Sequence, residues 1–157
     1  METLNLIKND PWLEPFSDAI NGRHQFAIKK EAELTKKGKT TLSEFASGHL
    51  YFGLHQTKEG WVLREWAPNA SEIHLVGDFN DWTEQPKYVF KRKAGGVWEV
   101  KLPAKAMKHG DLYKLLVKWE GGQGERIPAY ANRVVQDEAT KIFSAQVWAP
   151  ETEYKWK

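Results

Sequence analysis

Short apolar runs recur between residues 49 and 147, and each is bounded by turn-forming residues. We place strands at residues 49–55, 61–67, 72–76, 88–92, 97–102, 112–119, 133–136 and 141–147. Runs of this length, separated by turns and not by helical patterns, are typical of a β-sandwich or barrel. The sequence therefore predicts a mainly β fold.

Alternation within three of these runs predicts which side chains enter the core, because successive side chains of a strand point to opposite faces. The predicted inward set is Trp98, Val100, Leu102, Tyr113, Leu115, Val117, Trp119, Phe143, Ala145 and Val147. Lys114 and Lys118 then lie on the solvent side of their strand. Ser144, Gln146 and Trp148 likewise point outward.

The first 48 residues follow a different pattern. Residues 10–34 carry apolar positions at helical spacing: Phe16, Ala19, Ile20, Phe26, Ala27 and Leu34. Pro11 and Pro15 suit the first turn of a helix, and Thr41 with Glu44 has the spacing of a capping box. We expect a helical segment and linker at 1–48, a β-sandwich at 49–150, and the start of a further linker at 151–157.

Composition excludes several classes of protein. No apolar run exceeds three residues, whereas a membrane span needs about 20 and a signal peptide an apolar stretch of about 7 to 15. A net charge of +2 is too small for a strong phosphate-binding surface. The chain has no cysteine, which fits a cytoplasmic location.

Catalytic and metal-binding motifs are absent from the sequence. It contains neither G-x-S-x-G nor H-E-x-x-H. The glycines of residues 121–124 lack the Lys and Ser/Thr of a phosphate-binding loop, so a hairpin turn is favoured there.

Acidic residues are expected to be solvated surface charges, although a catalytic pair of carboxylates stays open as an alternative. His49, His55 and His74 could converge on a metal ion, but surface or cross-strand positions are favoured. We expect no cofactor and no metal.

Aromatic residues are abundant, with 8 Trp, 5 Tyr and 7 Phe. A flat ring stacks on the apolar face of a pyranose while polar neighbours bind the hydroxyls. Residues 77–82, with the sequence GDFNDW, combine both kinds of side chain in one turn. Alternatively, Phe79 and Trp82 cap the core while Asp78 and Asn80 bond local backbone.

Residues 52–82 closely resemble the N-terminal module of glycogen branching enzymes, in particular through the strings REWAP and GDFNDW. The PWLEP motif at residues 11–15, the HGDLYK motif at 109–114 and the RIPAY motif at 126–130 also match. The resemblance covers nearly the whole chain. It implies an immunoglobulin-like β-sandwich preceded by a short helical segment.

The resemblance also implies a function. In the whole enzyme such a module precedes a catalytic barrel that cleaves α-1,4 linkages and rejoins the released segment through α-1,6 linkages, by a retaining mechanism with two carboxylates. Because those residues belong to the barrel, this chain is expected to be catalytically inert. The expected ligand is an α-1,4-glucan, and the expected protein partner is the protein's own barrel, in cytoplasmic glycogen biosynthesis.

By resemblance, Trp82 corresponds to a sugar-stacking tryptophan and Lys114 to a hydroxyl-binding lysine, with Asn80 and Asp81 as lesser contacts. A second stacking tryptophan of the related modules has no counterpart, since residues 121–126 contain no aromatic. Two other hypotheses stay open. The chain could be a docking module that buries Trp12, Trp148, Tyr154 and Trp156 against the barrel, or a single-stranded nucleic-acid binder, which the charge disfavours.

Overall fold

The computed structural model describes residues 4–152, and contacts divide them into two compact units between Gly48 and His49. The helical unit contains α1 (Asn5–Asn9), a 3₁₀ helix (Pro11–Phe16), α2 (Ser17–Leu34) and α3 (Leu42–Phe45). The second unit contains nine strands. They are β1 (Gly53–Thr57), β2 (Gly60–Trp66), β3 (Glu72–Gly77), β4 (Lys91–Arg92), β5 (Val97–Leu102), β6 (Leu112–Trp119), β7 (Gly122–Arg126), β8 (Val134–Gln136) and β9 (Phe143–Gln146).

Local signals position the helices. The Asp10 carboxylate accepts a hydrogen bond from the Trp12 backbone N–H, which starts the proline-containing 3₁₀ helix, so the α-helix itself begins only at Ser17. Thr41 and Glu44 form the predicted capping box of α3. The predicted helix is confirmed as α2; all 18 of its residues are described, and none of its apolar residues is buried. Short α1 was not predicted.

The second unit is the predicted β-sandwich. One sheet has the order β1-β2-β5-β4, and the other has the order β3-β6-β9-β8, with β7 also paired to β6. Every strand pairing is antiparallel. Strand β7 corrects the prediction of a turn at residues 121–124. Only Gly121 of these glycines lies in the turn, with a φ of +86°, and β7 begins at the next residue. We call the sheet containing β3 and β6 the second sheet.

The core lies between the two sheets, and most of the alternation predictions are confirmed. Trp98, Val100, Leu102, Tyr113, Leu115, Ala145 and Val147 are all buried. Two predictions are wrong: Trp119 and Phe143 are exposed. Both are terminal residues of their strands. Alternation assigns a side chain to one face of its sheet, but it does not predict whether the opposite sheet extends far enough to cover that side chain. No helix among residues 4–152 combines the length and apolar character needed to cross a membrane.

Candidate functional site

The GDFNDW turn follows β3 and is built around a buried asparagine. Asn80 is only 3% exposed. Its Oδ1 accepts a hydrogen bond from the Gly77 N–H at 2.9 Å, and its Nδ2 donates to the Leu75 carbonyl at 3.0 Å. The Asn80 side chain therefore ties the turn to the end of β3, and its burial leaves it little surface to offer a ligand.

The two residues after Asn80 have strained backbone. Asp81 has φ of +53° and Trp82 has φ of +57°, in the left-handed region that costs a residue other than glycine about 1 to 3 kcal/mol. The Trp82 N–H donates to the Gly77 carbonyl at 3.0 Å, which holds this conformation. Such strain persists only where surrounding contacts over-determine it, and it is concentrated at functional sites.

The indole of Trp82 is held by an aspartate. Its Nε1 donates to Asp78 Oδ1 at 3.0 Å, and Asp78 Oδ2 accepts from the Leu112 backbone N–H at 2.7 Å. Asp78 thereby links the ring to the first residue of β6. Trp82 is still 38% exposed, so its ring is fixed in orientation and open to solvent.

Lys114 lies beside this ring on the solvent face of β6, which we call the outer face of the second sheet. Its Nζ is 5.9 Å from the centre of the Trp82 ring and 2.7 Å from Glu125 Oε2 on β7. An ammonium group has three donors, so the ion pair leaves others for a ligand, on a side chain that is 13% exposed. The structure thus brings Trp82 and Lys114 together, with Asp81 exposed on the turn between Asn80 and Trp82.

A charged cluster adjoins the site on the same face. His74 Nε2 lies 2.6 Å from Glu72 Oε1 and 3.1 Å from Glu84 Oε2. Lys118 Nζ lies 2.6 Å from the same Glu84 oxygen. The hydrogen bond with His74 lowers the pKa of Glu72, and the hydrogen bond with Glu84 raises the pKa of Lys118. The cluster fastens the segment after Trp82 to β3 and β6.

The structure separates the histidines that could have formed a metal site. His55 belongs to β1 in the first sheet and its Nε2 lies 2.8 Å from the Phe52 carbonyl, whereas His74 belongs to β3 in the second sheet. Within residues 4–152, no group of three or more His, Cys, Asp or Glu side chains could hold a metal ion.

Trp119 does not replace the missing second tryptophan. It has the opposite parity to Lys114 and Lys118 on β6, so it lies on the other face of the sheet. Its ring covers Gly122 and Gly124 of β7. Of the four aromatics expected at a docking surface, Trp12 and Trp148 are exposed, whereas Tyr154 and Trp156 lie outside the described residues.

Comparison with known families identifies the sandwich. Residues 51–131 match the model of carbohydrate-binding module 48, described as the isoamylase N-terminal domain. The chain belongs to the carbohydrate-binding module 48 family. The match includes the strained turn, Trp82 and Lys114, whereas β8 and β9 lie beyond its end.

Relatives of this carbohydrate-binding module 48 chain confirm its resemblance to branching enzymes. It is 35% identical to the 1,4-alpha-glucan-branching enzyme of Dictyostelium discoideum over 97% of its own length. It is 39% identical to the enzyme of that name from Yarrowia lipolytica over 99% of its length. The chain spans 23% of each of these relatives.

This carbohydrate-binding module 48 chain is also similar in fold to parts of larger solved structures. A type I pullulanase from Bacillus subtilis complexed with maltose matches 71% of this chain and 15% of its own chain, with a TM-score of 0.53 and 19% identity. A maltotriose complex of PulA from Klebsiella pneumoniae matches 66% of this chain and 11% of its own, with a TM-score of 0.50 and 21% identity. At these identities the likeness supports the fold alone.

Proposed function

We propose that the outer face of the second sheet binds an α-1,4-glucan, with Trp82 stacking on a glucose ring and Lys114 donating hydrogen bonds to its hydroxyls. The observation that carries the proposal is the fixed Trp82 indole, held by Asp78 in a strained turn, with the Lys114 ammonium 5.9 Å from the ring. Asp81 is a lesser contact, and Asn80 acts by shaping the turn.

The chemistry of the site suits a neutral sugar. The exposed part of the indole offers an apolar surface to a pyranose, and an amphipathic ring of this kind stacks without needing a charged ligand. Lys114 is already neutralised by Glu125, so no strong positive field attracts an anion. The ion pair still supplies both donors and acceptors to hydroxyl groups.

For the whole protein, we propose a 1,4-alpha-glucan branching enzyme of glycogen biosynthesis in the cytoplasm. Residues 1–48 would be its N-terminal helical segment, 49–150 its carbohydrate-binding domain and 151–157 the start of the linker to a catalytic barrel. The similarity to branching enzymes over nearly the whole chain supports this assignment. The glycosyl transfer that forms α-1,6 branches then belongs to the barrel, and this domain delivers the glucan.

The test is a calorimetric titration of the domain with maltoheptaose, with cellooligosaccharide as the control sugar. Trp82→Ala should weaken maltoheptaose binding by a factor of about 5 to 160, because a stacked ring contributes about 1 to 3 kcal/mol. The matched control is Trp119→Ala, which removes an indole of similar exposure, 36% against 38%, from the other face. Full affinity in a folded Trp82→Ala variant would remove Trp82 from this role.

A docking function is the second candidate, and the exposure of Trp12, at 87%, is the observation that favours it. A docking module would give no heat with maltoheptaose at millimolar concentration. Trp12 would then lose most of its solvent accessibility when the barrel is attached. Tryptophan quenching in the longer protein measures that change, and unchanged quenching would reject docking.

A further inference from the structure

A groove of about 550 Å³ lies on the second sheet next to the Trp82 turn. It is lined by residues of β6, β8 and β9 and by residues of the loops that flank these strands. Its lining residues include Asp78, Gly110, Leu112, Arg133, Ser144 and Gln146.

The groove is connected to Trp82 through Asp78. Asp78 lines the groove, and the same carboxylate holds the Trp82 indole and the Leu112 N–H. Leu112 is paired in register with Gln146 of β9. Asp78, Leu112 and Gln146 therefore form a continuous row that leads from the Trp82 ring across the sheet.

A second exposed indole, that of Trp148, lies against Arg133, which lines the groove. The Gly110 N–H donates to the Val147 carbonyl at 2.9 Å, so extended pairing continues past the end of β9. Alternation then places Trp148 on the same face as Ser144 and Gln146, which line the groove. Trp148 is 44% exposed.

Two neighbours fix the orientation of Trp148. The Arg133 guanidinium carbon lies 4.3 Å from the centre of the indole, and the His109 ring meets the indole at 61° with 4.9 Å between centroids. His109 is itself held, since its Nδ1 accepts a hydrogen bond from the Ala149 N–H at 3.1 Å. Like Trp82, Trp148 is a partly exposed ring that is oriented by polar partners.

The groove between the two indoles has the polarity that a sugar chain needs. Gln146 Nε2 donates to the Gly110 carbonyl at 3.0 Å, which leaves the amide oxygen as an acceptor. Arg133 supplies guanidinium donors at the groove wall, whereas Ser144, which also lines the groove, is only 8% exposed. From the end of β3 to β8 the floor crosses three strand spacings, about 14 Å in all. This is longer than one pyranose ring.

We propose that Trp148, oriented by Arg133 and His109, is a second sugar-stacking residue, and that the groove between Trp82 and Trp148 holds consecutive glucose units of one α-1,4-glucan chain. The inference rests on the proposed glucan site at Trp82. Arg133 and Trp148 lie outside the residues that match the family model. Trp148 would supply the second aromatic contact with the sugar. Strand β7 does not supply it, because residues 121–126 contain no aromatic side chain.

The experiment compares maltotriose with maltoheptaose by calorimetry, in the unchanged chain and in two variants. Trp148→Ala should weaken maltoheptaose binding about tenfold and leave maltotriose binding at Trp82 unchanged, because only the longer sugar reaches both rings. Trp82→Ala should weaken both sugars. Trp148→Phe, which keeps an aromatic face, should retain most of the maltoheptaose affinity, and far-UV circular dichroism checks that each variant is folded.

The outcomes separate the two proposals. Unchanged maltoheptaose affinity in Trp148→Ala, together with a loss in Trp82→Ala, would overturn the extended groove and support the site at Trp82. Equal loss of both sugars in a folded Trp148→Ala variant would also overturn it, since Trp148 would then belong to the primary subsite. No saturable binding of either sugar by the unchanged chain would overturn the proposed function and this inference together.

Discussion

The turn that carries Trp82 and the hairpin that carries Trp119 belong to the same sheet and expose their indoles almost equally. Their surroundings differ. Trp82 has its Nε1 bonded to Asp78 and lies beside Lys114, whereas Trp119 lies against the glycines of β7 with Arg126 5.5 Å from its ring. Exposure alone therefore does not identify a binding residue; fixed orientation beside polar groups that a ligand can use is the additional requirement.

The two regions also differ in backbone conformation. The hairpin turns at Gly121, where a φ of +86° has little cost because glycine has no Cβ. The Trp82 turn places Asp81 and Trp82 in the left-handed region, and the hydrogen bonds of Asn80 and Gly77 stabilise it. The strained turn should consequently be the more sensitive of the two to substitution.

The two regions should differ most in how a glycine-to-alanine substitution changes the free energy of unfolding. A Cβ at Gly77 would collide with the Leu112 carbonyl and approach the Phe79 ring at 2.9 Å. Gly77→Ala should lower the free energy of unfolding by about 2 to 3 kcal/mol, as overpacking does, and also weaken maltoheptaose binding. Urea denaturation and calorimetry measure the two effects.

The matched variant is Gly124→Ala in the hairpin. There a Cβ would meet the mobile end of Arg126 at 3.1 Å and the edge of Trp119 at 3.4 Å. Its effect should stay within about 0.5 kcal/mol, as at an ordinary surface position. Equal destabilisation by the two variants would contradict the contrast between a strained turn and a relaxed hairpin.

An intermediate effect is expected when an aromatic ring is added to the hairpin on the outer face. Gln123 pairs with Lys118, whose parity matches that of Lys114, so Gln123→Trp would place an indole on the face of Trp82. The affinity for maltoheptaose should rise about tenfold, within the range of one stacking contact. Gly122→Trp, one residue away and on the opposite face, is the control and should give no gain; an equal gain would show that the face is irrelevant.

The smallest effect concerns pH and the strand that supports the turn. Tyr113 pairs with Gly77, and burial, reinforced by the Glu65 carboxylate, raises the pKa of its phenol. The unfolded chain releases the phenol proton near pH 10, whereas the folded chain keeps it. The contribution of Tyr113 to the free energy of unfolding is therefore complete below pH 10 and is lost as the pH rises above it. By pH 10.5 the loss should be about 1 kcal/mol.

Urea denaturation at pH 8 and pH 10.5 measures this loss. Tyr113→Phe, which has no proton to release, is the control and should lose less stability between the two pH values. Identical pH dependence in the two proteins would show that Tyr113 does not contribute.

Several features of the fold could be predicted from residues alone. Strand alternation correctly predicted that Trp98 and Leu115 are buried. The spacing of Thr41 and Glu44 correctly predicted the start of a helix. Strand β7 could not be predicted in this way, because glycine is depleted in strands and common in turns, so the glycines of β7 indicate a turn. It is recognised as a strand only through the hydrogen bonds it makes with β6.

Within the candidate site, the amino-acid sequence was enough to predict which residue types are available: an aromatic and polar turn, and a lysine on an outward position of a strand. The family resemblance connects the two. The tertiary structure alone decided their arrangement. Whether Asn80 faces a ligand or the backbone, whether Trp82 and Lys114 are neighbours, and whether Trp148 contacts a residue of the groove all depend on strand register and turn geometry. Alternation assigns a side chain to a face, but only the packing of distant strands determines which other side chains share its surroundings.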